Sequence, residues 1–593
     1  MIQKRAPVRP LDQIGEKPSL FLVGSLFATV FAAFLFLHAT QPILDPDFWW
    51  HLKTGKMMVE QKGLLYADPF TFHAGTEATS RESMILKGYW LWQTIAYGLY
   101  ALLGFNGIFL LNLLVIGAIA GTMTFRMYRS QVALWLSAPL LTGTFILLRS
   151  YPPERPQLVS FLLVTLLAGV LTQLRKSGKV SWQIPALMCL WANLHGGFVV
   201  GVIMLGCFAA GVTLQYRDNP PERKRLLTWT LAGAIASLAN PNGGLAFIEL
   251  FNFVGKPLQT NIIEYRSTWA EFSEGSKTVI VLWAAILLYG AGTLLRRRFD
   301  WPEVLVAVAL GILSVKHMRS VAFFPLAMLP AIGLTWQELF RDRRWRLPAW
   351  FQLLTIAVAA LPLLWLVANQ WKERRFDQKV LAIYPEAGID FLLESGMQGR
   401  MFNSYEYGGY LVWRLAPGMK VFIDGRGLNE QIFSDYQKIS LASLTSINGR
   451  KEYQALLERY QVDYVFQPIY DGYGNVQPLM KALLSDPWWV PIYLDTQVYI
   501  LAKDSVQTRA AIDAHAIDKE DFKNRLLLIY SYLHRAQPEQ TAYRVARAGL
   551  LIYLGSYQEA RAEIEAIEQE SPADQALPAL RKDLHLLAGR LRR

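Results

Sequence analysis

Up to about residue 370 the chain is a succession of apolar runs with short polar breaks, and beyond that point apolar and polar positions mix as they do in a water-soluble protein. A bilayer-spanning helix needs about 20 mostly apolar residues, and shorter ones lean on their neighbours. This pattern predicts eleven spans, at 19–40, 107–125, 132–148, 157–174, 182–194, 197–214, 226–239, 278–295, 302–314, 320–336 and 349–369. The weakest is 182–194. The first run is too long for the apolar part of a signal peptide and lacks a clean small-residue cleavage site, so it reads as a spanning helix.

Lysine and arginine orient the spans, because cytoplasmic loops collect them. With the N-terminus cytoplasmic, segments 1–18, 126–131, 175–181, 215–225, 296–300 and 337–348 hold 20 Lys and Arg in 59 residues. The opposite segments 41–106, 149–156, 195–196, 240–277 and 315–319 hold 12 in 119 residues. Fusing 182–214 into one helix would invert everything downstream and put Arg296-Arg297-Arg298 outside. Eleven spans therefore fit better, and they leave everything after Asn369 outside the cytoplasm.

The soluble-looking remainder changes period twice. In 370–505 a helix is expected over Ala387–Ser395, and strands at Tyr410–Leu415, Lys420–Asp424, Tyr464–Pro468 and Val498–Lys503, where β-branched and aromatic residues lie between Gly and Pro. From about Asp504 the pattern is helical, and Ala548 to Ala560 resembles one tetratricopeptide repeat. A solenoid normally needs three repeats, so a helical cap is the plainer expectation and a partner-binding tail the sharper one. The predicted class is mainly α: a polytopic transmembrane bundle (1–369, with a large first outside loop at 41–106), an extracytoplasmic α/β domain (370–505) and a helical tail (506–593).

Composition agrees. The chain is 53% hydrophobic and 18% charged, against about 25% charged in soluble domains. The net charge of +12 is a topology signal; nucleic-acid binding needs a basic patch on a soluble face, and none is seen. Cys189 and Cys207 both lie in apolar runs and suggest neither a disulfide nor a metal site.

The candidate chemistry gathers outside. The first loop opens with Asp45-Pro46-Asp47-Phe48-Trp49-Trp50-His51, followed by Asp68-Pro69-Phe70. On a helix Asp47 and His51 share a face. Asp47 or Asp45 could act as a base towards a hydroxyl, or Asp47 and His51 could hold a divalent metal such as Mg or Mn. The plainer alternative makes Asp47 a helix N-cap and the tryptophans membrane-interface residues. Arg149 and Arg155 flank Tyr151 to Glu154; Asn193-Leu-His195-Gly-Gly197 breaks an apolar stretch; Asn240-Pro-Asn242-Gly-Gly244 and Glu264 lie in a later loop; Lys316-His317-Met-Arg319 joins two spans. Turn formation and snorkelling would account for these one by one. Together they describe a polar, cationic site beside a carboxylate, suited to a phosphate head on a lipid tail.

A basic N-terminus, one span and then an acidic motif resemble the GT-C superfamily of membrane glycosyltransferases. Asp45-Pro-Asp-Phe-Trp-Trp-His-Leu52, Leu190-Trp-Ala-Asn-Leu-His-Gly-Gly197, Asn240-Pro-Asn-Gly243, Gly408-Gly-Tyr-Leu411 and Asp424-Gly-Arg426 look like a bacterial branch grouped with lipid-linked-sugar transferases, over roughly residues 10–470. The resemblance implies inverting transfer of a sugar from a polyprenyl-phosphate donor to a glycan, lipid or protein acceptor outside the inner membrane, with Asp47 (or Asp45) as the loop carboxylate. Assigning the donor's phosphate to Arg149, Arg155, His195, Asn240, Lys316, His317 or Arg319, and the acceptor to Asp424 and Arg426, is inference from charge and position. Two other classes compete. A transporter or flippase would show inverted repeats and charges at mid-membrane. A non-catalytic assembly protein would tolerate loss of Asp47 but not of its tail.

Overall fold

The computed structural model describes residues 18–73, 80–177, 181–248, 265–297, 299–342, 347–373, 383–427, 429–447, 450–470, 476–538, 540–572, 574 and 576–591. Glu264 lies outside them. The chain forms two compact units, and the first loop is divided between them. One unit takes Met1–Asp45, Thr54–Leu65 and Ser83–Lys379; the other takes Pro46–Lys53, Tyr66–Glu82 and Val380–Arg593.

In the first unit every predicted span lies on a helix: Pro18–Ala39, Phe105–Arg129, Leu134–Leu148, Gln157–Ser177, Gln183–Leu194, Phe198–Gln215, Pro220–Ala236, Val279–Arg296, Trp301–Lys316, Phe323–Asp342 and Ala349–Glu373. Among the described residues, six of these are long and apolar enough to cross a membrane, and Leu134–Leu148 and Gln183–Leu194 are shorter apolar helices. The break at 195–197 is real, so 182–214 is two helices. The loop 41–106, by contrast, carries unforeseen helices at Ser80–Gly88 and Trp90–Leu103.

Without a hydrophobic drive between helices in lipid, small residues and polar contacts fasten them. At Gly211 a side chain would overlap the backbone at Trp301 and Pro302, so glycine permits that close crossing. Pro330 interrupts the ladder of helix Phe323–Asp342 because it has no N–H for the carbonyl of Leu326. Arg126 supplies a donor to Leu326 O at 2.8 Å and also bonds the neighbouring Ala327 O at 2.7 Å.

Polar contacts also sort the loops into two sets. Arg175 pairs with Asp300 (2.6 Å), Arg225 donates to Leu174 O, Arg296 pairs with Glu338, and Gln337 bonds Gln131 and Ala133. These are segments that the basic count assigned to one face. Tyr151 donates to Met318 O, Gln157 to Arg319 O, and Asn193 to Ala239 O; these belong to the other face. The two sets occupy opposite ends of the bundle.

The second unit is built on a sheet. Its strands in chain order are β1 (Met401–Asn403), β2 (Ser446–Ile447), β3 (Arg450–Lys451), β4 (Tyr464–Pro468), β5 (Trp489–Leu494) and β6 (Val498–Lys503). β1, β4, β6 and β5 lie side by side, β1 parallel to β4 and the other pairs antiparallel, while β2 and β3 form a separate hairpin. Two expected strands are corrected. Tyr410–Leu415 belongs to a helix, Tyr405–Leu415, whose N-cap Ser404 accepts the N–H of Tyr407. That cap and the helical apolar face outweigh the strand preference of Tyr, Val and Trp. Lys420–Asp424 does not join the sheet. Val421 bridges in parallel to Thr71 of the first loop, and the buried Asn403 side chain bonds the main chain of Phe422 and Ile423.

The tail begins inside this core. Phe522, Leu526 and Tyr530 of helix Lys519–Ala536 are fully buried in the cluster that holds Val465, Tyr499 and Leu501, and the Tyr530 hydroxyl donates to Ile469 O at 2.6 Å. A hairpin follows, Ala542–Leu554 and Tyr557–Glu570, turned by Gly555 at φ 80°. Glycine takes this left-handed stop without strain. Ala548 and Ala560, both wholly buried, are the small residues of the repeat-like segment.

Candidate functional site

At one end of the helical unit, the short loop before helix Gln157–Ser177 grips the end of the segment that follows the first span. Arg155 meets the Asp45 carboxylate with both arms, Nε to Oδ2 at 2.7 Å and Nη2 to Oδ1 at 2.8 Å. Such parallel pairs are strong and directional. Asp45 has no exposed side-chain surface, so its charge is neutralised where it lies. Glu154 accepts the backbone N–H groups of Leu44 and Asp45 on Oε1, each at 2.9 Å. Burial, and then the charge of Asp45, push the Glu154 carboxyl up to about 7. Glu154 was not among the residues expected to matter; an acid beside an arginine at a helix start was the available signal.

One turn into the same helix, Ser160 lies 2.6 Å from His195 Nδ1 and accepts the indole N–H of Trp191 at 2.7 Å. The N–H of Gly197 also points at Nδ1, at 2.9 Å. Nδ1 is therefore an acceptor, Ser160 donates to it, and the proton sits on Nε2. Burial first, then the charge of Arg319, lower the His195 pKa to about 3. His195 stays neutral, a hydrogen-bond donor rather than a cation.

The remaining expected residues divide by surroundings. Arg319 donates to the Tyr265 hydroxyl at 2.5 Å and lies over that ring, and His317 Nδ1 is 3.1 Å from Tyr265 O. Asn240 makes a turn, bonding Ser237 O and Gly243 O and accepting the N–H of Asn242. Arg149 and Lys316 are exposed and take part in no ion pair among the described residues. They are the cations still open to an incoming anion.

Two stretches of the first loop, Pro46–Lys53 and Tyr66–Glu82, belong to the second unit. Helix Asp47–Gln61 starts at Asp47, which is half-buried and accepts the Trp50 indole N–H at 3.2 Å. Gly425 faces that carboxylate so closely that a Cβ there would overlap it. Trp49, expected at the membrane interface, is wholly buried, packed edge-on to Tyr384 and Tyr410 and tilted against Trp413. His51 is buried against the Trp50 ring.

Asp424 and Arg426 flank Gly425. Arg426 has no exposed side-chain surface and bonds Asp424 (2.8 Å and 2.5 Å) and Asp68 (2.6 Å and 3.2 Å) together. Burial opposes its charge, but the two carboxylates hold its pKa above the usual arginine value. Burial raises Asp68, and Arg426 more than reverses this, leaving its pKa below the ordinary value. Sealed in this way, Asp424 and Arg426 anchor the loop instead of facing an acceptor. His73, bonded to Phe422 O at 2.5 Å, and Arg81, bonded to Gly427 O at 3.0 Å, extend the anchorage.

As a metal site Asp47 and His51 give two donors, and no group of three or more His, Cys, Asp or Glu suited to a metal occurs among the described residues.

No family model and no curated protein matches the sequence. Among solved structures, the chain is similar to the archaeal oligosaccharyltransferase AglB from Archaeoglobus fulgidus, in complex with an inhibitory peptide and a dolichol-phosphate. The two are 13% identical with a TM-score of 0.48, over 82% of this chain and 74% of that one. It is also similar to ArnT from Cupriavidus metallidurans bound to undecaprenyl phosphate, at 12% identity and a TM-score of 0.47, over 83% of this chain and 99% of that one. Likeness at this level names no reaction; side chains have to.

Proposed function

We propose that the chain is a bacterial inner-membrane glycosyltransferase that moves a sugar from a polyprenyl-phosphate donor to an extracytoplasmic acceptor, with Asp47 as the base. The reading is carried by the different fates of the two loop carboxylates. Asp45 is buried, and Arg155 occupies both of its carboxylate oxygens. Asp47 keeps part of its surface, begins a helix and is oriented by a neutral indole donor. In the step, the acceptor hydroxyl gives its proton to Asp47 as its oxygen bonds the anomeric carbon. The anomeric C–O bond breaks, and its electron pair leaves with the lipid phosphate. Arg149 and Lys316 are assigned to that phosphate, where cations offset growing negative charge. His195 serves as a neutral donor to substrate oxygens. The basic-residue asymmetry supports a cytoplasmic N-terminus, and the burial of Tyr530 supports a structural role for helix Lys519–Ala536 of the tail.

The test compares wild type with Asp47→Asn in membranes supplied with radiolabelled polyprenyl-phosphate sugars. Labelled product from wild type and none from the variant at equal expression supports the reading. Product surviving in Asp47→Asn moves the base elsewhere, and no product from a folded wild type with any donor defeats the enzyme reading.

A further inference from the structure

Glu154 takes no part in the transfer step as written, yet its surroundings are costly to maintain. It is 1% exposed, it faces the charge of Asp45, and its Oε2 is buried with no hydrogen-bond partner among the described residues. A buried carboxylate so placed is unfavourable unless something depends on it. What depends on it is on Oε1: the N–H groups of Leu44 and Asp45, both at 2.9 Å. Arg155, the next residue, holds the Asp45 side chain. Two consecutive residues thus seize one short segment, Glu154 by its main chain and Arg155 by its carboxylate. Pro42 and Pro46, on either side, have no N–H of their own to be held by.

We propose that Glu154 is a positioning residue, fixing the backbone of residues 44 and 45, which lead in sequence to Asp47. Its consequence for catalysis rests on the glycosyl-transfer reading; its grip on the segment does not. An acceptor oxygen is what the two amides need, so glutamine can replace glutamate and alanine cannot.

The experiment uses the full chain in lipid nanodiscs and reads two signals for Glu154→Ala and Glu154→Gln. The first is hydrogen exchange of a peptide covering 41–46. The second is kcat and KM for transfer from the polyprenyl-phosphate sugar used with wild type. Glu154→Ala is expected to speed exchange at least tenfold and to lower kcat about a hundredfold with KM within threefold. Glu154→Gln is expected to return both to within threefold of wild type. Unchanged exchange in Glu154→Ala overturns the inference, as does fast exchange with undiminished kcat. A Glu154→Gln protein that exchanges tenfold or more faster than wild type also overturns it, and this near-isosteric variant decides the matter where alanine prevents folding. If wild type transfers no sugar, the function proposed above fails, and exchange alone decides whether Glu154 holds the segment.

Discussion

Arg426 and Asp68 stand 358 residues apart in the chain and meet side by side in the core of the second unit, with neither side chain exposed. Phe70 lies under the guanidinium, whose carbon is 4.9 Å from the ring centre, and Asp424 closes the other side. Removing one member of a buried ion pair commonly costs about 3–5 kcal/mol, because the partner is left charged and dry. Arg426→Met strands two carboxylates and is expected to lower the melting temperature and expose residues 66–82 to protease. Arg426→Lys should recover little, since an ammonium cannot offer paired planar donors. Full stability in Arg426→Lys, measured by thermal melting in detergent, would show that the fork geometry is unimportant.

Glu154 gives a pH dependence of definite sign. Its ordinary value is 4.5 and burial beside Asp45 raises it to about 7, so between those values the folded chain binds more protons than the unfolded one. Stability then falls as pH rises through that window. It is intact below about 4.5, and about 3 kcal/mol is lost by about 7, from some 1.4 kcal/mol per unit. Glu154→Gln has no charge to bury. The melting temperature of wild type minus that of Glu154→Gln should therefore decline from pH 4.5 to 7, and a flat difference curve would refute this.

The helices of the first unit were legible because apolar length is a local property, and its loop ends fall into two sets that the basic count, which needs only the sequence, had already separated. The second unit was legible only where local and tertiary preferences agree, as at Tyr464–Pro468. At Tyr405–Leu415 an N-cap serine and a helical apolar face outweighed strand-forming residues. At Val421 the partner strand comes from Thr71, so no reading confined to 370–505 could find it. Candidate residues chosen for charge were found, but charge does not reveal occupancy. Arg149 and Arg426 look alike in the sequence; one is exposed and the other is sealed between two carboxylates. Glu154 was overlooked because its role is to accept two amides, which leaves no spacing signature.

Gly425 tests the role of Asp47 without altering its chemistry. A Cβ at 425 would overlap Asp47 Oδ1, and the side chain must rotate or the turn must shift. Gly425→Ala is expected to keep the protein folded, with a melting temperature within a few degrees of wild type, while transfer falls at least tenfold. Full transfer activity in Gly425→Ala would mean that the observed orientation of Asp47 is not the one used.

Arg126 and Pro330 make a stricter test of the membrane part, because each explains the other. Pro330 leaves Leu326 O without its helical donor, and Arg126 donates to Leu326 O and Ala327 O. Leaving a buried polar group unsatisfied costs about 1–3 kcal/mol. Arg126→Leu should therefore destabilise the protein markedly. Pro330→Ala restores an N–H within reach of Leu326 O, so the same arginine loss should cost less in that background. A double-mutant cycle on unfolding in mixed micelles should give a coupling of about 1–2 kcal/mol, within the range found for groups that share a partner. Additive effects would mean that Arg126 acts through something other than the carbonyls that the proline leaves open.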